Sequence, residues 1–122
     1  MLIDSAIFPR AVHSAGVNEY YSLELIAEGI EFVGLVSFRL LDDKGRVKAP
    51  RMYFPEEEKG NESPFRFLKG EFVVTVDEEP IAETGLVDIT WHFSNGWSLQ
   101  VFDSDPVESW FLKVDGQIVR AS

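Results

Sequence analysis

The apolar residues of this chain recur at every second position over several short segments, and a period of two is typical of half-buried β-strands. In the segment 87–93 the large apolar side chains are Ile89, Trp91 and Phe93. In the segment 70–77 the alternation places Phe72, Val74 and Val76 on one face of a predicted strand, and Val73 and Thr75 on the other. Each segment therefore predicts a strand whose two faces differ in environment.

Three turns that end in glycine separate such segments and predict β-hairpins. Their sequences are Asp43-Lys44-Gly45, Ser94-Asn95-Gly96 and Val114-Asp115-Gly116. In the second hairpin, a three-residue loop with Gly96 in the left-handed conformation pairs Trp91 with Leu99 and keeps the large apolar side chains on one face. The same loop geometry predicts that Leu41 pairs with Val47 in the first hairpin, and Leu112 with Ile118 in the third.

The N-terminal third has a less regular pattern, and two interpretations stay open for it. Leu23 and Leu25 alternate with polar neighbours and predict a strand at Tyr20–Ala27, although the local spacing also suits a helical turn. The pattern contains no long amphipathic helix, and it leaves room for one short N-terminal helix within residues 10–20. The chain is therefore predicted to be a single, mainly β domain over residues 1–122, an antiparallel sandwich or a partly open barrel built from hairpins.

Composition favours one packed core and excludes several classes of protein. Ten Phe, three Trp and three Tyr supply rings for a core within 122 residues, and the absence of cysteine excludes disulfides and thiolate chemistry. Residues 1–30 show no signal-peptide pattern, and no apolar run approaches the roughly 20 residues of a membrane span, which predicts a cytoplasmic protein. The net charge of −10 disfavours contact with nucleic acid and favours a basic protein partner.

No residue pattern in the chain predicts catalysis, a bound metal or a cofactor. The sequence has no Gly-x-Ser-x-Gly motif, no glycine-rich phosphate loop and no His-Glu-x-x-His motif. His13 and His92 lie far apart in the sequence, and His92 falls on the polar side of the strand at 87–93. The run Asp103-Ser104-Asp105-Pro106-Val107-Glu108 lacks the glycine and the further acids of a calcium loop. The chain is therefore predicted not to be an enzyme.

Two acidic runs are the candidate partner-binding residues, because they are clustered and lie in polar surroundings that predict exposure. The first run comprises Glu56, Glu57 and Glu58, and the second comprises Asp77, Glu78 and Glu79. Carboxylates clustered on one surface suit a patch of arginine or lysine on another protein.

The segment Ile89-Thr90-Trp91-His92-Phe93-Ser94-Asn95-Gly96-Trp97-Ser98-Leu99, followed by Glu108-Ser109-Trp110, resembles the C-terminal hairpin of several uncharacterised families of small bacterial domains. The resemblance covers residues 86–114. Some of these families resemble immunity proteins encoded beside secreted polymorphic or contact-dependent toxins. The resemblance implies a β-rich fold and an inhibitory role, and it carries over no functional residue.

The sequence leaves three hypotheses for function, ranked above a weak enzyme with an unrecognised carboxylate site. The leading one is a cytoplasmic, immunity-type inhibitor that neutralises a basic bacterial toxin or enzyme domain by stoichiometric occlusion through its acidic surface. The second is a small-ligand-binding β-barrel with an apolar cavity. The third is a structural domain that forms homo-oligomers through exposed strand edges.

Overall fold

Ten antiparallel strands dominate the part of the chain that the computed structural model describes, which is residues 2–20, 22–49, 63–103 and 110–121. The strands are β1 (Arg10–Val17), β2 (Leu23–Ala27), β3 (Ile30–Gly34), β4 (Ser37–Leu41), β5 (Val47–Ala49), β6 (Phe72–Ile81), β7 (Leu86–Phe93), β8 (Ser98–Phe102), β9 (Trp110–Val114) and β10 (Gln117–Ala121). Short 3-10 helices lie at Ser5–Ile7, Pro64–Leu68 and Ala82–Thr84. The strands form one sheet in the order β10-β9-β3-β2-β1-β6-β7-β8-β4-β5, which does not close, since β10 and β5 stay at its edges. The predicted mainly β, antiparallel fold is confirmed.

The sheet folds over on itself, so that strands distant in its order face each other across a core. Phe32 of β3 and Trp91 of β7 belong to strands that β2, β1 and β6 separate within the sheet, yet their ring centroids are 6.0 Å apart. We call β10, β9, β3, β2 and β1 the β3 half, and the other five strands the β7 half. Each half has an inner face, which lines the core, and an outer face.

Alternation along the strands places large apolar side chains at the inward positions. Trp91, Trp110 and Phe32 are fully buried, and the ring centroids of Phe32 and Trp110 are 5.5 Å apart. Burial of one such side chain stabilises a fold by about 1.5–3 kcal/mol. Trp97, in contrast, is only half-buried and packs on Phe67 with a centroid separation of 5.1 Å. The rings that hold the two halves together are therefore concentrated at the centre of the fold.

Two of the three predicted hairpin loops are confirmed. Gly96 has a φ of 87° in its loop, and Trp91 lies opposite Leu99 as predicted. This register keeps both side chains on the inner face, where both are buried. In the first hairpin Leu41 lies opposite Val47, again as predicted.

The third loop differs from the prediction that Leu112 pairs with Ile118. Lys113, the neighbour of Leu112, lies opposite Ile118 instead. The loop is shorter than predicted because both Asp115 and Gly116 adopt left-handed conformations, with φ of 50° and 83°. Two consecutive left-handed residues form the tight turn whose twist matches that of paired strands. Ile118 consequently points away from the core and is 63% exposed.

Within the segment 10–20, where the pattern allowed a short helix, residues Arg10–Val17 form a strand. β1 pairs with β2 from Val12 to Val17 and with β6 through its first two residues. Both of these valines are buried. The neighbouring strands satisfy backbone hydrogen bonds that a helix would have made internally. The strand predicted at Tyr20–Ala27 is confirmed by β2, at Leu23–Ala27.

One extra residue in β6 changes which side chains of the segment 70–77 share a face, compared with the prediction from alternation. The register between β6 and β7 moves by one residue just after Val73, so that Val74 is the extra residue of a β-bulge. Val73 is buried, whereas Phe72 and Val74 are 45% and 43% exposed. The prediction placed Phe72, Val74 and Val76 on one face, and it is wrong, since only Val76 packs against the core.

A buried ion pair closes the fold on the side of β8 and β10. The Asp103 side chain, which follows β8, is 1% exposed, and its Oδ2 accepts hydrogen bonds from Arg120 Nη1 at 2.7 Å and from the Val87 N–H at 3.0 Å. Arg120 lies opposite an inward residue because a bulge in β10 shifts the register. Its guanidinium lies 3.9 Å from the centroid of the Trp110 ring. The pair therefore ties the edge strand β10 to the β7 half.

Replacement of Asp103 by alanine should lower the free energy of unfolding by about 2–4 kcal/mol, because it leaves Arg120 and the Val87 N–H without their acceptor. Urea denaturation of the wild-type and variant chains measures this difference. Glu83→Ala is the control, since Glu83 is exposed, and it should change stability by less than about 0.5 kcal/mol. Equal effects of the two substitutions would show that the ion pair does not stabilise the fold.

Asp42 organises the first hairpin loop through a buried carboxylate. Its side chain is 3% exposed, and its Oδ1 accepts hydrogen bonds from the N–H groups of Lys44 and Arg46, each at 2.9 Å. The Arg46 side chain donates to Oδ2 at 2.8 Å. Burial raises the pKa of Asp42, but the N–H donors of Arg46 and Lys44 and the Arg46 guanidinium outweigh burial and lower this pKa to about 2.

Because this pKa lies below its ordinary value of 3.8, Asp42 should contribute stability above about pH 4, and the contribution should be lost as the pH falls to about 2. Denaturant unfolding over this range measures the loss. Asp42→Asn should be less stable than the wild type near neutral pH and should lose less stability on acidification. Asp43→Asn, at the exposed neighbouring position, should follow the wild-type curve. Parallel curves for Asp42→Asn and the wild type would contradict this role.

Candidate functional site

One of the two predicted acidic runs lies in the described part of the chain. Glu56, Glu57 and Glu58 fall outside the described residues. Asp77, Glu78 and Glu79 lie in β6, which forms a long hairpin with β7. The structure therefore bears on the second run alone.

The three acids of β6 do not share one face. The bulge at Val74 sets the phase of the residues that follow it, so that Asp77 and Glu79 point outward, while Glu78 lies opposite the buried Ile89. The Asp77 side chain is 74% exposed, and Glu79 is exposed as well. Asp77 and Glu79 are therefore exposed to solvent, whereas Glu78 is only partly so.

Glu78 binds the N-terminal segment of its own chain. Its two carboxylate oxygens accept hydrogen bonds from the backbone N–H groups of Leu2 at 2.6 Å and Ile3 at 3.0 Å. Ile3 is 2% exposed, so these hydrogen bonds help to hold an apolar side chain in the core. Glu78 is thus placed to position the N-terminal segment.

Six outward residues of β6 and β7 form a surface that we call the acidic hairpin face. The opposed pairs on this surface are Thr75 and His92, Asp77 and Thr90, and Glu79 and Asp88. None of the six is lysine or arginine, and three are acids. Like charges opposite each other on paired strands repel. Glu79 and Asp88 therefore make one end of the face strongly electronegative.

Two contacts hold carboxylates in place on the acidic hairpin face. His92 Nε2 lies 2.7 Å from Asp77 Oδ2, and Asp88 Oδ1 accepts a hydrogen bond from the Asp103 N–H at 2.7 Å. Within the described chain, the second oxygen of each carboxylate has no hydrogen-bond partner. A carboxylate that is already held loses less conformational freedom when a partner binds. The arrangement therefore suits charge-assisted hydrogen bonds from lysine or arginine of another molecule.

The neighbouring strands bound the acidic hairpin face with uncharged and basic side chains. Gln100 of β8 lies opposite Thr90, and its Oε1 accepts a hydrogen bond from Arg39 Nε of β4 at 3.1 Å. The Arg39 guanidinium lies 5.4 Å from the centroid of the Phe102 ring. The outer face of the β7 half therefore changes from acidic at β6 and β7 to basic at β4.

Sequence reasoning did not identify Asp88 as part of the acidic hairpin face, or Arg39 as a basic residue elsewhere on the outer face of the β7 half. The alternation at 87–93 predicts an outward Asp88, but only the pairing of β7 with β6 brings it opposite Glu79. Arg39 reaches the outer face of the β7 half through the pairing of β4 with β8, two strands that lie far apart in the sequence. Alternation with apolar neighbours was thus a usable signal for the outward position of both residues, whereas the strands beside them were not visible in the sequence.

Glu78→Ala should lower the free energy of unfolding by about 1–3 kcal/mol, because the N–H groups of Leu2 and Ile3 lose their acceptor. Glu79→Ala removes the same side chain from the adjacent outward position and should change stability by less than about 0.5 kcal/mol. Thermal and urea unfolding of the two variants measure the contrast. A Glu79 variant less stable than the Glu78 variant would show that the inward and outward positions of β6 are assigned wrongly.

The described residues include no group of three or more His, Asp or Glu side chains placed to hold a metal ion. None of their helices has the length and apolar character needed to cross a membrane.

Comparison with known proteins gives no independent indication of the site. No protein-family model matches the chain, and neither does a curated protein or a solved structure. The acidic hairpin face therefore rests on the geometry of the chain itself.

Proposed function

We propose that this chain is a non-catalytic protein-binding module that binds a basic protein domain through the acidic hairpin face. The observation that carries the proposal is the outward placement of Asp77 and Glu79 on a paired strand, beside a β7 surface without lysine or arginine. A surface of this kind accelerates the encounter with a basic partner and repels acidic ones.

The proposed mode of action is stoichiometric occlusion, as in an immunity-type inhibitor that neutralises a bacterial toxin or enzyme domain. Clefts that bind phosphate-bearing substrates present arginine and lysine, and carboxylates on a β-hairpin match such a cleft in charge. The net charge of −10 adds long-range attraction to the local contacts. The resemblance of residues 86–114 to immunity-type domains supports the same role.

Binding at the surface also agrees with how the interior is filled. The Phe32 ring packs against both Trp91 and Trp110 between the two halves, with centroid separations of 6.0 Å and 5.5 Å. A small-ligand barrel would need an apolar cavity in this place. The acidic hairpin face, in contrast, offers carboxylates already held by His92 and by the Asp103 N–H.

The test compares two double variants that have the same net charge. Asp77→Asn with Glu79→Gln removes two charges from the acidic hairpin face, and Glu19→Gln with Glu28→Gln removes two from exposed turns of the β3 half. The tagged wild type and both variants are incubated with native lysate and washed at increasing salt, and bound proteins are identified by mass spectrometry. We expect the wild type and the control to retain one basic partner at near-equal stoichiometry, and the face variant to lose it.

Association kinetics with the purified partner measure how strongly the charges of the acidic hairpin face accelerate binding. The rate constant of the wild type should fall at least about tenfold as salt rises to the physiological range, and the face variant should associate about tenfold more slowly than the control. Addition of the wild-type chain should also inhibit any activity of the partner at a one-to-one ratio. A salt-independent rate, or equal binding by the two double variants, would contradict the proposal.

A further inference from the structure

The outer face of the β3 half carries two rows of side chains that cross its strands. In the first row the opposed residues are Ile26 of β2, Glu31 of β3, Lys113 of β9 and Ile118 of β10. In the second row Glu24 of β2, Val33 of β3 and Phe111 of β9 are the opposed residues. All of these residues alternate with inner residues of the core, and all have solvent-accessible side chains. The face is therefore a mixture of apolar and charged positions in a regular array.

The first row is complementary to the same row of a second copy that runs in the opposite direction. Glu31 and Lys113 lie directly opposite each other, yet within the described chain neither has an ion-pair partner. Each end of the row is apolar, and Ile118 at the outer end is 63% exposed. The row is apolar, acidic, basic and apolar in that order. When two copies face each other with their rows reversed, unlike charges lie opposite each other and the apolar ends are in contact.

A hollow lies beside this row, between the turn that joins β2 to β3 and the turn that joins β9 to β10. It has a volume of about 310 Å³, and its lining includes Ile26, Gly29, Glu31, Lys113 and Gly116. Gly116 has no side chain, and no atom of the described residues beyond its chain neighbours lies within 4 Å of the place where its Cβ would be, which leaves the hollow open. Ile118 protrudes on the neighbouring strand of the same row. The face thus carries both a protrusion and a hollow, which is what a contact between identical surfaces requires.

We propose that the chain forms a homodimer through this face, with a two-fold axis parallel to the strands and midway between β3 and β9. Rotation about this axis reverses the first row, so that Lys113 of the partner subunit lies over Glu31. It also places Ile118 of the partner subunit over Ile26 and the adjacent hollow. In the second row, Phe111 of the partner subunit comes over Val33. A two-fold axis in the plane of the face and perpendicular to the strands would instead place Glu31 opposite Glu31 of the partner subunit. These like charges would repel each other, so this axis is excluded.

The extent of the face predicts a weak dimer. Four strands of about five residues cover roughly 20 Å by 17 Å, which is less than the roughly 800 Å² per partner of a typical stable interface. A dissociation constant of about 10–100 μM is expected. The acidic hairpin face lies on the β7 half, so the dimer leaves it accessible, and the inference does not depend on the proposed function.

Sedimentation equilibrium of the full chain at concentrations up to about 1 mM tests the dimer. Glu31→Lys and Lys113→Glu should each raise the dissociation constant at least about tenfold, because each reversal creates two like-charge contacts across the axis. The double reversal should return it to within about threefold of the wild type. Glu19→Lys and Lys44→Glu make the same charge changes at exposed positions outside the face and should leave the dimer unchanged.

A second measurement uses the protruding isoleucine. Ile118→Lys should abolish the dimer, and Val47→Lys is its control, since Val47 is 49% exposed on β5 at the opposite edge of the sheet. Circular dichroism verifies that each variant keeps its β fold. The proposal is overturned by a wild type that stays monomeric throughout, by a dimer that tolerates Ile118→Lys or the single reversals, or by a double reversal that restores nothing.

Discussion

The contact of Phe32 with Trp91 brings together two strands that lie four places apart in the sheet order. An open, twisted sheet would satisfy the same backbone hydrogen bonds as the folded-over sheet, but it would leave the apolar face of the sheet in water. Removing these rings from water supplies the driving force for folding the sheet over, and Trp110 completes the cluster. The distinction between inner and outer faces follows from this closure. The buried pair of Asp103 and Arg120 depends on it as well, since its two residues come from opposite halves.

Because the sheet folds over a core, the register of each strand determines which of its side chains are buried, and β6 is an example. Once one side of β6 must fill the core, the extra residue at Val74 determines which later side chains face inward. The bulge sends Asp77 and Glu79 to solvent and turns Glu78 toward the N-terminal segment. Three acids adjacent in sequence thereby acquire two different roles. An exposed acidic surface and an internal anchor arise from one short run because side chains on a strand alternate.

The two outer faces have different chemical characters, and this difference separates the two proposed interactions. The acidic hairpin face of the β7 half holds carboxylates without neighbouring lysine or arginine on β6 and β7, and such a surface attracts a partner of opposite charge. The outer face of the β3 half sets Glu31 opposite Lys113 between two isoleucines, with Glu24, Val33 and Phe111 in the next row, and the first of these rows is complementary to that of a second copy. Because the faces lie on opposite sides of the core, occupation of one leaves the other accessible.

The sequence by itself determined that the chain is antiparallel and mainly β, because period-two alternation and glycine turns are local features. It also determined the loop at Gly96 and the pairing of Leu41 with Val47, each within one hairpin. Tertiary structure alone decided the strand order, the bulge at Val74 and the strand in place of a helix at residues 10–20. These features depend on which side chains from distant parts of the chain pack together in the core, and a local sequence pattern does not show this. The acidic run in β6 was therefore visible in the sequence, whereas its division into outward and inward residues was decided by packing.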